Sequence, residues 1–254
     1  VIGRIRLLRD SMGPGNTLLY LTSRVLQLAS RGRVRLVRYL VVAQPVPPAP
    51  LPGCRPSPAS SVAAVLPANP LCASFPRPQE IIARRFANGD TCLVATVNGR
   101  FAGFLWYARN HYEEDEVRCN YVLADYATTA WDYDVYVEPE FRLGRTLSRL
   151  WAAAHAQLRA EGIRWTFSRI SAFNANSLNS HRQLGARPFA TLTFLCLGPL
   201  QLGFGLPGRR VHLCVGARGR PEYRLPHAEN VRGGLSRVAP APINKPPPPP
   251  QNTG

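Results

Sequence analysis

The chain has 254 residues, enough for one domain with a sizeable core plus extensions. No apolar run reaches the length of a membrane span, and the first eleven residues carry Arg4, Arg6 and Arg9 without a long apolar run or a small-residue cleavage site, so a cytoplasmic protein is expected. The formal charge of +16 invites a nucleic-acid or anionic-membrane partner, but residues 77–200 hold 14 arginines against 12 acids while the rest of the chain holds 17 basic residues against three acids, so the excess lies in the flanks.

Residues 1–44 read as an N-terminal helix-strand extension. Asn16 is placed to cap a helix over Thr17–Ala29, with Leu18, Leu21, Val25 and Leu28 on one apolar face and Gly32 as its stop. A strand over Arg33–Ala43 follows. The unit is expected to pack onto its own domain and add a strand to the sheet, a membrane surface being the alternative. Proline, alanine and serine dominate 45–76, which reads as a linker or irregular wrap.

Pro78, Ile81, Ile82, Arg85 and Phe86, with Gly89 just beyond, predict a short helix. Then comes T-C-L-V-A-T-V, the turn Asn98-Gly99 and R-F-A-G-F-L-W-Y-A, a hairpin signal. The acidic run Glu113, Glu114, Asp115, Glu116 reads as a solvated loop or as a hold for a cationic substrate.

The stretch W-D-Y-D-V-Y-V-E-P-E-F-R-L-G-R-T-L-S-R-L-W, Trp131 to Trp151, organises the rest. Tyr133, Val135 and Val137 alternate with Asp132, Asp134 and Tyr136, predicting a strand with one apolar and one polar face that Pro139 ends. After the basic turn, Leu147, Leu150, Trp151, Ala154 and Leu158 recur at helical spacing, and the helix stops at Gly162. A helix opening after such a turn presents unpartnered N–H groups and the positive end of its macrodipole, which suits an anion; solvated arginines on an ordinary connection are the other reading.

A strand over Ile163–Ala172, a helix over Asn174–Leu184 and a strand over Phe189–Leu197 complete an α/β or α+β core at 77–200. Residues 201–238 form a C-terminal extension with a possible strand at Arg210–Val215, and the proline-rich tail 239–254 is expected to be disordered. The six cysteines lie far apart without C-x-x-C, so no metal site is expected, and Cys92 and Cys196 read as core thiols. Trp131, Tyr133, Trp151 and Trp165 read as core aromatics.

Three segments together resemble the GNAT superfamily of acyl-CoA-dependent N-acetyltransferases over about 78–198. V-A-T-V-N-G-R-F-A-G-F-L resembles the family's second and third strands, V-Y-V-E-P-E-F-R-L-G-R-T-L-S-R-L its central strand and pyrophosphate loop, and N-A-N-S-L-N-S-H-R-Q-L-G-A its asparagine-helix-glycine segment. Where the family's loop carries small residues three and five positions after an Arg or Gln, this chain has Arg145 and Leu147 after Arg142, with Gly144 between. The resemblance implies a mixed, mostly antiparallel central sheet flanked by helices, acetyl-CoA as acyl donor, and transfer to a primary amine of a small molecule or peptide by direct attack in a ternary complex.

The resemblance further implies that Val135, Tyr136 and Val137 meet the pantetheine arm where the central strand splays from its neighbour. The pyrophosphate falls to Arg142, Leu143, Gly144, Arg145, Thr146, Leu147 and Ser148. Asn174 matches the family's pantetheine-binding asparagine, or caps the following helix. His181 stands where the family's acid is commonly a tyrosine, with a surface histidine as the other reading. Asp134 and Glu138 are candidate bases, with Asp132 and Glu116 behind them. The alternative function is a non-catalytic module of the same core whose basic flanks bind nucleic acid or anionic membrane; the acceptor and the oligomeric state are not legible.

Overall fold

The computed structural model describes residues 2–50, 57–205, 211–216 and 219–227. Helices α1 (Ile2–Met12) and α2 (Pro14–Ala29) lead into strand β1 (Val34–Pro45). Strand β2 (Ser60–Val65) and a 3-10 turn at Pro70–Ser74 precede helix α3 (Gln79–Ala87) and the hairpin β3 (Thr91–Val97) and β4 (Arg100–Ala108). Short strands β5 (His111–Glu113) and β6 (Asn120–Leu123) lead to β7 (Thr129–Val137), α4 (Thr146–Ala160), β8 (Trp165–Ser171), α5 (Ala175–Gln183) and β9 (Arg187–Leu197). Strands β10 (Leu200–Phe204), β11 (Val211–Val215) and β12 (Glu222–Leu225) follow. Cys54 and the expected disordered tail lie outside the described residues.

Nine strands form one sheet in the order β11-β10-β9-β1-β8-β7-β4-β3-β2, and β12, β6 and β5 form a second. Only β7 and β8 pair in parallel in the large sheet; its other pairs are antiparallel. A mixed, mostly antiparallel sheet flanked by helices is what the resemblance implies. On one face, Trp106, Trp131, Phe167 and Phe194 pack with Ile82 of α3 and Tyr112, Tyr121 and Tyr223 of the small sheet. On the other, Leu93, Leu105, Tyr107 and Ala130 meet Leu150, Trp151, Ala154 and Leu158 of α4. Asn98 (φ 50°) and Gly99 (φ 75°) turn the β3–β4 hairpin with both residues left-handed, the twist that a two-residue loop needs.

The N-terminal unit is more than an extension. β1 runs between β8 and β9, antiparallel to both, with Tyr39, Val41 and Ala43 fully buried, so it belongs to the core. The helix before it starts at Pro14, with Gly13 as the cap position; Asn16 lies inside and donates from Nδ2 to Met12 O. Proline's fixed φ favours the first helical position, which explains the earlier start.

The apolar stripe of α2 also differs from expectation. Leu18, Val25 and Leu28 are 67%, 64% and 73% exposed, while Thr17 and Ser23 turn inward. The reason is the end of β8: its last pair is Tyr39↔Ser171, and beyond the Ala172 N–H bond to Arg38 O the edge of β1 is bare. Ser23 Oγ donates to Leu36 O at 2.9 Å, so a polar helix face satisfies that edge.

The described residues of the proline-rich stretch belong to the fold. β2 pairs with β3 at the sheet's edge, where proline-rich sequence is tolerated, and buried Phe75 packs against Phe101, Phe104 and Trp106. Among the described residues no helix is long and apolar enough to cross a membrane.

Candidate active site

The central strand β7 carries a bulge that its alternating sequence conceals. Phe104↔Tyr136 and Trp106↔Tyr133 are paired, so Leu105 alone on β4 faces both Asp134 and Val135 on β7. Asp134 takes up the extra residue at φ 47°, a left-handed backbone that aspartate tolerates better than most residues. The expected two faces are therefore re-sorted. Trp131, Tyr133 and Tyr136 join the α3-side cluster, whereas Val135 and Val137 pack on the α4 side. Gly103, opposite Val137, makes room: a Cβ there would run into the Tyr136 carbonyl oxygen.

Asp134 does not stand free. It accepts from Arg77 Nε at 2.8 Å and Arg85 Nη1 at 2.6 Å, and its other oxygen is paired with Arg77 as well. Arg85 is 5% exposed and also donates to Asp115, so α3 and the acidic loop are both tied to the bulge.

Beside the bulge the sheet opens. β7 and β8 pair only at Thr129↔Trp165, Ala130↔Thr166 and Trp131↔Phe167. Past that point β7 follows β4 to Val137 and β8 follows β1 to Ser171, leaving the main-chain edge of Asp132–Val137 without a strand beside it among the described residues.

The turn after β7 delivers α4 to the same end. A 3-10 turn at Pro139–Phe141 leads through Arg142, exposed Leu143 and Gly144 to Arg145, which holds the cap position with no side-chain capping bond and no acid in the first helical turn. The cap residue thus offers the first amides of α4, at Thr146, Leu147 and Ser148, no side-chain bond, and the first turn of the helix carries no acid. Arg149 Nη1 fixes this turn to Ser60 Oγ at 2.6 Å. Arg142 folds back, its Nε donating to Val137 O at 3.0 Å and its guanidinium lying over the Tyr136 ring.

On the α4 side of the opening is a polar cluster in an otherwise apolar layer. Asp132 (β7, 1% exposed), Gln44 (β1, 0%), His155 (α4, 1%), Thr166 and Ser168 (β8) are all buried, and His181 on α5 joins them. Gln44 Oε1 lies 3.2 Å from His181 Nδ1, and Gln44 Nε2 lies 3.2 Å from His155 Nε2. The His181 ring stands edge-on to Trp151 at 5.4 Å. Asp132 Oδ1 and the Thr166 and Ser168 hydroxyls lack hydrogen-bond partners of full geometry.

Burial raises the Asp132 carboxyl above its ordinary value, with the His181 charge and the two hydroxyls pulling it back. Burial lowers His181, opposed by the Asp132 charge. Burial first and Arg159 second take His155 down to about 4, so it is neutral at working pH.

Of the candidates read from the sequence, Asp134 and Glu138 lie apart from this cluster. Glu138 continues the strand through its N–H bond to Ala102 O and accepts from the Tyr136 hydroxyl at 3.2 Å. Asn174 caps α5, its Oδ1 accepting from Ser177 N at 3.1 Å. Leu178 seats α5 in a small core with Val42, Ile170 and Ala186, and His181 one turn on is thereby aimed at Gln44.

The acidic run is not a solvated loop. Glu114 is 2% exposed and paired with Arg169, whose guanidinium sits 4.4 Å over Tyr39. Asp115 meets Arg84 and Arg85, Glu116 accepts from the Tyr39 hydroxyl at 2.6 Å, and Glu113 meets Arg220. These carboxylates bind the loop to the body and are not available as a bare cation hold.

Sequence reasoning missed Gln44, His155, Thr166 and Ser168. The only signal was a histidine inside the apolar stripe of α4, four residues after Trp151. Among the described residues no three His, Cys, Asp or Glu side chains are grouped to hold a metal ion.

No protein-family model and no curated protein sequence matches the chain. Solved structures do. A protein of unknown function from Staphylococcus epidermidis is 12% identical, with 68% of this chain and 66% of that one covered at a TM-score of 0.43. A tandem GNAT protein from the clavulanic acid biosynthesis pathway is 16% identical over 67% and 57% at 0.46, and a GCN5-related N-acetyltransferase from Kribbella flavida 13% identical over 69% and 63% at 0.40. The likeness is of fold alone. In each case the chain spans less than two thirds of the solved structure's own length.

Proposed function

We propose that the chain is an N-acyltransferase of GNAT type that moves an acetyl group from acetyl-CoA to a primary amine on a small molecule or peptide. The observation that carries this reading is the opening between β7 and β8, where three parallel pairs give way to the bare edge of a bulged strand beside an uncapped helix start. A bare edge holds amide-rich chains through main-chain hydrogen bonds, which suits pantetheine along Val135–Val137. The first amides of α4, with Arg142 and Arg145 adding charge, suit a pyrophosphate.

When bound, the thioester supplies an activated acetyl group. The protein's own contribution is placement and proton handling. A main-chain N–H at the end of β7 stabilises negative charge developing on the acyl oxygen. His181 holds the proton for the departing thiolate. Glu138, which accepts from the Tyr136 hydroxyl, takes the proton from the amine; Asp134 is left out because Arg77 and Arg85 occupy both its oxygens.

Calorimetry of the full chain with acetyl-CoA tests the reading. Saturable binding, followed by acceptor-dependent release of free thiol, is expected; folded protein that takes up no CoA would overturn it. A second reading is favoured by Arg142, which folds back onto Val137 O. It is a non-catalytic module whose basic flanks bind nucleic acid or anionic membrane, and it predicts DNA or vesicle binding that weakens steeply with salt in protein that ignores CoA.

A further inference from the structure

Gln44 is fully buried, and its amide spans two imidazoles, with Oε1 3.2 Å from His181 Nδ1 and Nε2 3.2 Å from His155 Nε2. A primary amide has one end that only accepts and one that only donates. In this orientation His155 Nε2 must be a lone pair and His181 Nδ1 must carry a proton. We propose that Gln44 is a positioning residue that sets the tautomer of His181, leaving Nε2 as the nitrogen that gains and loses the working proton. The role of that proton rests on the acyltransferase reading; the tautomer does not.

One neighbour holds the amide this way round, and the other permits it. Asp132, reaching in from β7, favours a charged His181, and an imidazolium can face the amide only through Nδ1–H to Oε1. On the other side His155 is held neutral by burial and by Arg159, so one of its ring nitrogens is free to accept from Gln44 Nε2. Its Nδ1–H is then buried without a partner; an amide turned about would leave an unpartnered lone pair there instead. A turned amide would make His181 Nδ1 an acceptor and forbid the charged ring, the form that an acid must take. Trp151 closes the His181 ring edge-on and brings no charge.

The residue arrives by an unexpected route. Gln44 sits near the end of β1, opposite Thr166 of β8. The strand read from sequence as part of an accessory unit therefore supplies a group to the site.

Nitrogen-15 spectra of histidine-labelled full chain test this directly through the two-bond couplings of each ring. His181 and His155 are both expected as Nδ1–H tautomers when neutral. In Gln44→Met, which keeps the length and removes both polar ends, His181 should lose that preference. Turnover should fall about tenfold or more with the KM for acyl donor within about twofold, as for loss of an oriented acid. Gln44→Glu keeps an acceptor and removes the donor, so His181 should stay Nδ1–H while His155 moves its proton to Nε2; this variant decides the matter should Gln44→Met fail to fold. A neutral His181 found as Nε2–H in the unaltered protein, or a His181 tautomer indifferent to Gln44→Met, overturns the proposal. The expected tautomers in a protein that transfers no acetyl group would reject the acyltransferase reading and leave the control by Gln44 standing.

Discussion

Arg85 Nη1 donates to Asp134 Oδ2 over 2.6 Å, and through this bond a helix on one face of the sheet holds the one irregular residue of the central strand. Both side chains are almost buried, 7% and 12% exposed. Removing one partner leaves a buried charge uncompensated, which costs about 3 kcal/mol. Asp134→Asn is therefore expected to destabilise the fold by about that amount in urea melts. It should also weaken acyl-CoA binding, because the bulge sets the edge of β7. A stability within error of the unaltered protein would show that the bulge holds without its arginines.

His155 makes stability depend on pH in a known direction. Its folded value near 4 lies below the 6.5 of the free side chain, so the unfolded chain takes up a proton first as pH falls. The stability it confers is complete above about pH 6.5 and lost toward pH 4, roughly 3 kcal/mol across the window. His181 is lowered too and adds to the same slope. His155→Leu should flatten the fall in unfolding free energy between pH 7 and pH 5; an unchanged slope would place the effect elsewhere.

Asp132 should trade stability for function. Burial raises its carboxyl, so above its unfolded value the ionised form penalises the folded state. Asp132→Asn is expected to raise stability at pH 7 by about 1 kcal/mol while lowering turnover, because the charge that favours protonated His181 is gone. Calorimetric melting and a pH-rate profile read the two effects separately. A variant that is both less stable and fully active would contradict the assignment.

The start of α4 offers a test with opposite signs. Ser148→Glu places an acid against the positive end of the helix and should stabilise the protein by about 0.5 kcal/mol. The same charge occupies the proposed phosphate position, so acetyl-CoA binding should fall at least about tenfold, a like-charge effect of over one kcal/mol. Unchanged CoA affinity would move the pyrophosphate away from this helix.

What the sequence made legible was local. The Asn98-Gly99 turn, the stripe of α4 and the order from β7 to β9 follow from turn chemistry and periodicity within a dozen residues. The bulge at Asp134 escaped because one inserted residue leaves the pattern of W-D-Y-D-V-Y-V looking regular; only pairing with β4 shows that Leu105 faces two residues. The stripe Leu18, Val25, Leu28 pointed to the wrong face because the need of one bare carbonyl, Leu36 O, drew Ser23 inward. Gln44 and Asp132 were invisible as a pair, since 88 positions separate residues that the fold brings under one helix.

The place of β1 bears on how the chain reaches this state. Its residues pair with 165–171 on one side and 187–197 on the other, so β1 waits for well over a hundred later residues before either partner exists. Such long loop closures slow folding. Until they occur, Tyr39, Val41 and Ala43 have no native shelter, and deleting β1 would remove a middle plank of the sheet.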